Sequence, residues 1–164
     1  MAYSDPDGAG VGGWLAFFVL VMAVFSPIGV VITTASSLYG DASIAQAFPA
    51  LWTTIQAFEW TLAALTIAGC WYVAWRLNKV FVWQTVRITI AGIWLLSIGS
   101  LVVEFAGISL ITGIPVAAIA GAVGVQLARP FVFCALWTGY FLRSKRVANT
   151  YLRHDEAEIS EVFG

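Results

Sequence analysis

Residues 14–34 read WLAFFVLVMAVFSPIGVVITT and contain no charged side chain. The uncharged stretch continues on both sides, from Asp7 to Asp41. A helix needs about 20 apolar residues to cross about 30 Å of hydrocarbon, so this stretch predicts a membrane-spanning helix over 14–34. Pro27 lies inside it, and neighbouring helices and hydroxyl groups accommodate such a proline within a membrane.

The composition of the whole chain agrees with this first stretch. Of the 164 residues, 60% are hydrophobic and 10% are charged, against about 45–50% and about 25% in soluble domains. A soluble domain of this size has too much surface to cover with so few charges. The 8 Lys and Arg against 9 Asp and Glu exclude an electrostatic nucleic-acid binder. We therefore expect an all-α integral membrane protein with lipids as neighbours and no nucleic-acid partner.

Charged residues delimit the remaining spans. Together with the first span they predict a four-transmembrane-helix bundle, with further spans over 56–75, 84–106 and 123–142. The fourth span follows an apolar connector, 107–122, in which Pro115 starts a short helix. An alternative places this span over 112–128 and ends it at Arg129. The membrane domain then covers 14–142, between an N-terminal segment, 1–13, and an amphipathic and acidic tail, 143–164.

Lys and Arg are distributed unevenly between the two sides of the predicted bundle. Seven of the eight lie near the loop between spans two and three or in the tail, and none lies in 35–55 or 107–122. Because basic residues favour the cytoplasmic side, both termini are predicted to be cytoplasmic. The apolar segment 35–55, broken near Pro49, and the connector predict short interfacial helices on the outer side.

Three charged residues, Glu59, Glu104 and Arg129, fall inside the predicted spans, where ionisable groups are costly and mark candidate functional sites. A basic residue lies at the opposite end of the same span in each case: Arg76 for Glu59, Arg87 for Glu104 and Arg143 for Arg129. At about 1.5 Å per residue these three separations are about 21–26 Å. We therefore predict that the three lie at one depth near the outer interface, and that Arg129 pairs with one or both carboxylates. A structural clamp, a ligand or ion site, and a proton path are the alternatives.

Small and polar residues follow these charges at helical spacing. Such seams let membrane helices approach closely, so they predict the inward faces of three spans, with members Ser26, Gly29, Thr33, Ser36, Glu59, Ala63, Thr66, Cys70, Ser97, Ser100, Glu104 and Gly107.

Catalytic and cofactor motifs are missing from the sequence. The one histidine, His154, lies in the polar tail, and there is no HExxH or P-loop motif. Cys70 and Cys134 lie in spans and are predicted to be reduced core residues. We predict no enzymatic activity, no cofactor and no metal site.

Two further groups of residues are candidate contact sites. Trp94 lies in the middle of a span, where a tryptophan often fills a contact between helices or subunits. Arg143, Lys145 and Arg146 are candidates for docking lipid phosphates or a partner. If the last helix continues past Arg143, an apolar face that includes Val147 and Tyr151, with Leu152, would lie on the cytoplasmic leaflet.

Both ends of the chain resemble a known family. The segment YFLRSKRVANTYLR, 140–153, resembles the closing sequence of the DUF2569 family of bacterial four-helix membrane proteins, and GVGGWLAFFVL, 10–20, resembles that family's entry to the first span. The resemblance implies a bacterial inner-membrane protein with four spans. It implies no activity and no catalytic residue.

Two classes of function follow from these observations. The first is an accessory or assembly subunit of a larger membrane complex, because cofactor ligands are missing and apolar surface is plentiful. The second is a small oligomeric transporter or channel that uses the Glu59, Glu104 and Arg129 cluster, or a lipid-interacting protein. Partners expected on these grounds are a larger membrane-protein complex or further copies of this chain.

Overall fold

The computed structural model describes residues 11–40 and 43–151, without the side chains of 43, 44 and 116–125. This described part consists of helices and contains no strand. The four long helices are α1 (Trp14–Tyr39), α3 (Trp52–Lys79), α4 (Trp83–Thr112) and α5 (Val116–Arg143). Two short helices, α2 (Ser43–Ala47) and α6 (Lys145–Thr150), follow α1 and α5.

Within the described residues, α1, α3 and α4 are long and apolar enough to cross a membrane by length and composition. Between 17% and 33% of their apolar windows is buried inside the chain. Most of the apolar surface therefore faces outward, as in helices that lie in lipid. The predicted all-α membrane protein is confirmed at this level, and the spans predicted over 14–34, 56–75 and 84–106 lie within α1, α3 and α4.

The structure contradicts the connector predicted over 107–122 and the alternative span that ends at Arg129, whereas the span predicted over 123–142 lies within α5. Residues 107–112 belong to α4, and Gly113, with a φ of 73°, ends that helix. Helix α5 then starts directly after Pro115 and runs without interruption to Arg143. No separate connector over 107–122 is therefore present, and α5 does not end at Arg129. In an apolar environment, continuing the helix past Pro130 keeps the other backbone hydrogen bonds intact.

Three of the long helices carry an irregularity near their middle. Helix α1 has a π-helical turn at Val21–Phe25 followed by Pro27, and α4 has one at Leu95–Gly99. Helix α5 contains Pro130. A proline has no N–H, so the carbonyl four residues earlier loses its usual helical donor.

Helix α3 lies centrally, packed against α1 on one side and α4 on the other, while α5 packs against α4. Two glycines permit the close approach of α3 and α4. A Cβ added at Gly69 would collide with the side chain of Leu96, and one added at Gly107 would collide with the ring of Phe58. Larger residues at these two positions would push the helices apart.

The apolar core is concentrated at one end of the bundle, which we call the basic end because Arg76, Lys79, Arg143 and Arg146 lie there. The aromatic ring of Phe18 packs between Trp137 and Phe141, with centroids 4.5 and 5.0 Å away. The buried members of this core are Leu15, Phe18, Met22, Cys70, Val73, Ala74, Leu77, Val86, Ile93, Cys134, Phe141, Val147 and Tyr151.

The short helix α6 also belongs to this core. Ser144 ends α5 in an extended conformation and accepts a hydrogen bond from the backbone N–H of Val147, which starts α6. Val147 and Tyr151 are fully buried, and the Tyr151 hydroxyl donates to the Leu77 carbonyl at 2.6 Å. The prediction that these two side chains lie on the leaflet was wrong, because the chain turns at Ser144 and packs them against the bundle. The rest of the predicted tail, from Leu152, and the segment 1–10 lie outside the described residues.

Candidate functional site

A cavity of about 750 Å³ opens between the four long helices, in the half of the bundle away from the apolar core. We call it the polar cavity. Its apolar lining includes Met22, Leu62, Leu96 and Phe133. All four helices contribute polar side chains, which are Ser26, Thr33, Thr34, Glu59, Thr66, Ser97, Ser100, Glu104, Gln126 and Arg129.

The three predicted membrane-embedded charges, Glu59, Glu104 and Arg129, all line this cavity. They come from α3, α4 and α5, which alternate in direction along the bundle. Because each is separated by a similar length of helix from a basic residue at the basic end, the helical rise brings them to a similar height. The structure therefore brings the three side chains to the wall of one cavity.

The predicted ion pair to Arg129 is not formed. Glu59 is buried, with 7% of its surface exposed, and Glu104 is half-buried, whereas Arg129 is exposed. Among the described residues, no carboxylate oxygen lies within the 4.0 Å of the Arg129 guanidinium that an ion pair requires. Arg129 therefore stands at the edge of the polar cavity, and the two carboxylates lie in its wall without a cationic partner there.

Most of the predicted seams of small and polar residues also line the polar cavity. Gly29 is one of them, and a Cβ built on it meets no atom within 4 Å. The face of α1 at Gly29 is therefore open space. Two predicted members, Ser36 and Gly107, are not part of the lining, and Gly107 instead packs against Phe58.

Three hydroxyl groups of the lining donate to their own helices. The Thr66 hydroxyl donates to the Leu62 carbonyl at 2.9 Å, and that of Ser100 donates to the Leu96 carbonyl at 2.6 Å. The Thr33 hydroxyl is within hydrogen-bond distance of the Gly29 carbonyl, at 2.9 Å. Since each proton is used within its helix, the oxygen lone pairs remain free to accept.

Sequence reasoning missed the contribution of α5 apart from Arg129. Gln126, Pro130 and Phe133 also line the polar cavity. Their spacing of four and three residues is that of one helical face, so the signal was present in the sequence. It was overlooked because 107–122 was treated as a connector, which left the face of α5 without a defined start.

The described residues provide no group of three or more metal-ligating side chains. Cys70 lines the cavity as a free thiol, and Cys134 is a free, buried thiol whose Sγ donates to the Ile93 carbonyl at 3.4 Å.

The remaining candidate residues lie outside the polar cavity. The Trp94 indole N–H donates to the Thr138 hydroxyl at 3.1 Å, and its ring meets Phe131 edge-on at 5.4 Å. Trp94 therefore fills the contact between α4 and α5. Arg143, Lys145 and Arg146 are exposed at the basic end.

The two ends of the described chain meet at the basic end. A Cβ built on Gly12 would lie 2.7 Å from Nη1 of Arg146, so the guanidinium of Arg146 lies directly over this glycine. The described parts of the opening segment 10–20 and of the closing segment 140–153, which carry the family resemblance, are therefore in contact.

The fold and the cavity define a membrane protein of apolar helices packed around a polar internal site. The chain belongs to the family described as Protein of unknown function (DUF2569), whose family model matches residues 8–152. Comparison with curated proteins and with solved structures gave no match.

Proposed function

We propose that this protein spans the bacterial inner membrane four times, with α5 as the fourth span and both termini in the cytoplasm. Helix α5 has 28 residues, enough at about 1.5 Å per residue to cross about 30 Å of hydrocarbon. The basic residues Arg76, Lys79 and Arg143 at one end of the bundle support this orientation. The basic end is then cytoplasmic, and α2 lies near the outer interface.

We further propose that the protein binds a small molecule in the polar cavity, within the membrane. The observation that carries this proposal is a cavity of about 750 Å³ with polar side chains from all four long helices. Ligand sites in helical bundles are typically cavities of about 300–1,000 Å³ with a few polar groups among apolar walls. Ionisable groups within a membrane are retained where they serve such a site.

The helix irregularities support the same proposal. Two residues of the cavity wall lie in these irregular turns: Met22 in the π-helical turn of α1 and Leu96 in that of α4. Pro130, inside α5, is part of the wall itself. Single π-helical turns occur frequently at functional sites, and transporters bind substrates where membrane helices are interrupted.

The small-transporter hypothesis needs a binding cavity, whereas the accessory-subunit hypothesis rests on exposed apolar surface. Lipid contact accounts equally well for exposed residues such as Trp14, Leu65 and Leu110. For this reason we base the choice between the two hypotheses on the polar cavity and not on the outer surface. The proposed role is binding, and no chemical step is assigned to the site.

Two glycine substitutions test whether the polar cavity binds small molecules. A Cβ built at Gly29 or at Gly139 meets no atom within 4 Å. Gly29→Leu would fill open space inside the cavity. Gly139→Leu is the control, because it places the same side chain on α5 outside the cavity lining. Both variants should fold, since leucine favours helix more than glycine does. The purified protein in nanodiscs is heated with octylamine, octanol or octanoate, and the midpoint of thermal unfolding is measured.

We expect at least one of the three probes to raise the midpoint of the wild type and of Gly139→Leu but not of Gly29→Leu, because only Gly29→Leu blocks the cavity. A probe that shifts all three proteins equally is acting through the lipid. If no probe gives a shift that depends on Gly29, the proposed binding function is wrong.

A further inference from the structure

Glu59 is the most deeply placed charged group of the polar cavity. It exposes 7% of its surface and lines the cavity wall, yet no hydrogen-bond donor or cationic group contacts its carboxylate in the described part of the chain. A buried carboxylate without a partner is costly. Its position at a cavity means that the missing partner can come from a ligand.

Two hydroxyl groups of the cavity wall have their protons bonded within their own helices and can still accept hydrogen bonds. Thr66 lies on the same cavity wall two turns along α3, and its hydroxyl proton is bonded to the Leu62 carbonyl. Ser100 on α4 is bonded in the same way to Leu96. The second carboxylate, Glu104, lies close enough to Glu59 for their charges to interact. These oxygens leave lone pairs for a donor that the cavity receives.

Pro130 adds a backbone acceptor on the side of α5. Because proline has no N–H, the carbonyl of Gln126 lacks its usual helical donor, and both residues line the polar cavity. In α1, Pro27 likewise leaves the Ala23 carbonyl without its helical donor. That carbonyl instead accepts a hydrogen bond from the Trp71 indole at 3.0 Å.

The opposite end of the polar cavity is apolar. Met22, Leu96 and Phe133 form the wall nearest to the core. A ligand that reaches from Glu59 to this wall needs a cationic donor at one end and an apolar body at the other. Two carboxylates, with no group of three His, Cys, Asp or Glu side chains placed to hold a metal ion among the described residues, favour an organic cation over a metal ion.

We infer that the polar cavity binds a monocationic amphipathic amine, with its ammonium group held by the Glu59 carboxylate and its apolar part against Met22, Leu96 and Phe133. This inference rests on the proposed binding function and names its ligand class. The ammonium donates hydrogen bonds to the Glu59 carboxylate. A charge-assisted hydrogen bond of this kind is stronger than a neutral one.

The test compares octylamine with its neutral analogue N-octylacetamide, and with octanol and octanoate, by thermal unfolding titrations in nanodiscs at pH 7. We expect octylamine to bind the wild type at least about tenfold more tightly than the three other probes. Glu59→Gln should remove this preference while retaining the weak binding of octanol, which also shows that the variant is folded.

The outcomes separate the two proposals. If octanol, octanoate or N-octylacetamide binds as tightly as octylamine and Gly29→Leu abolishes that binding, the amine inference is wrong and the binding function stands. Octylamine binding that persists in Glu59→Gln also overturns the inference. If no probe binds in a manner that depends on Gly29, both proposals fail.

Discussion

Tyr151 shows how one side chain fixes the end of the chain to the bundle. Its ring is fully buried, and its hydroxyl donates to the Leu77 carbonyl in the last turn of α3. The last carbonyls of a helix have no intrahelical donor, so the phenol satisfies a group that would otherwise be unpaired. Tyr151→Phe should therefore lower the free energy of unfolding by about 1–2 kcal/mol.

The same hydrogen bond should depend on pH in a defined direction. Burial, and then the neighbouring Tyr140, raises the pKa of Tyr151 above its ordinary value, which is about 10. A raised pKa in the folded state means that the stabilisation is present below about pH 10 and is lost as the pH rises above that value. The stability difference between wild type and Tyr151→Phe should accordingly shrink in strongly alkaline solution.

Thermal unfolding in detergent at pH 8 and at pH 11 measures both effects of Tyr151. Tyr140→Phe is the control, because it removes a phenol that makes no hydrogen bond among the described residues. A Tyr151→Phe variant as stable as Tyr140→Phe at pH 8 would show that the hydrogen bond to Leu77 contributes nothing.

At the scale of the helices, a hydrogen bond from Trp71 joins α3 to α1 one turn before Pro27. Pro27 removes the usual donor for the Ala23 carbonyl, and the Trp71 indole N–H supplies one at 3.0 Å. Trp71→Phe should therefore destabilise the protein by about 1 kcal/mol. Trp75→Phe is a close control, since Trp75 is one turn away on α3 and the two side chains are 56% and 55% exposed.

The experiment measures the midpoint of thermal unfolding of both variants in nanodiscs. We expect a lower midpoint for Trp71→Phe and little change for Trp75→Phe. Pro27→Ala returns an N–H to α1, so the loss caused by Trp71→Phe should be smaller in that background. Equal effects of the two tryptophan variants would contradict a specific hydrogen bond at Trp71.

The sequence predicts these helices well only where charges bound them. The spans over 14–34, 56–75 and 84–106 lie within α1, α3 and α4, because Asp7, Asp41 and Arg76 limit the apolar stretches around the first two. Between Glu104 and Arg129 no charge marks a boundary. The turn there depends on Gly113, whose left-handed backbone ends α4, and on Pro115, which is predicted to start a short helix and in fact precedes the long α5.

The sequence predicts which charged residues belong to the candidate site, but it does not predict the contacts that their side chains make. Counting residues from the basic end brings Glu59, Glu104 and Arg129 to one height, and they do line one cavity. Periodicity does not define the direction in which a long side chain points, however, so the expected ion pair of Arg129 was wrong. The apolar face of Val147 and Tyr151 was visible in the sequence, but its packing partner on α3 is distant along the chain.

At the scale of the whole molecule, the two halves of the bundle differ in a way that fits the proposed orientation. The basic end is closed by the apolar core and α6, and the other half holds the polar cavity. If the basic end is cytoplasmic, the cavity lies in the outer half of the membrane. A ligand would then enter from the outer leaflet or from outside the cell.

This orientation predicts the location of each connection between helices. Reporter proteins active only in the cytoplasm or only outside it are fused after Gly40, after Val80, after Gly113 and at the C-terminus. With four spans the fusions should report outside, inside, outside and inside, because Lys and Arg favour the cytoplasmic side. The C-terminal fusion is decisive for α5: an outside signal there, with the first three as expected, would mean that α5 does not cross the membrane. A matched fusion in an Arg143→Gln/Lys145→Gln/Arg146→Gln background should give a weaker cytoplasmic signal, because the basic residues that retain this end in the cytoplasm are gone.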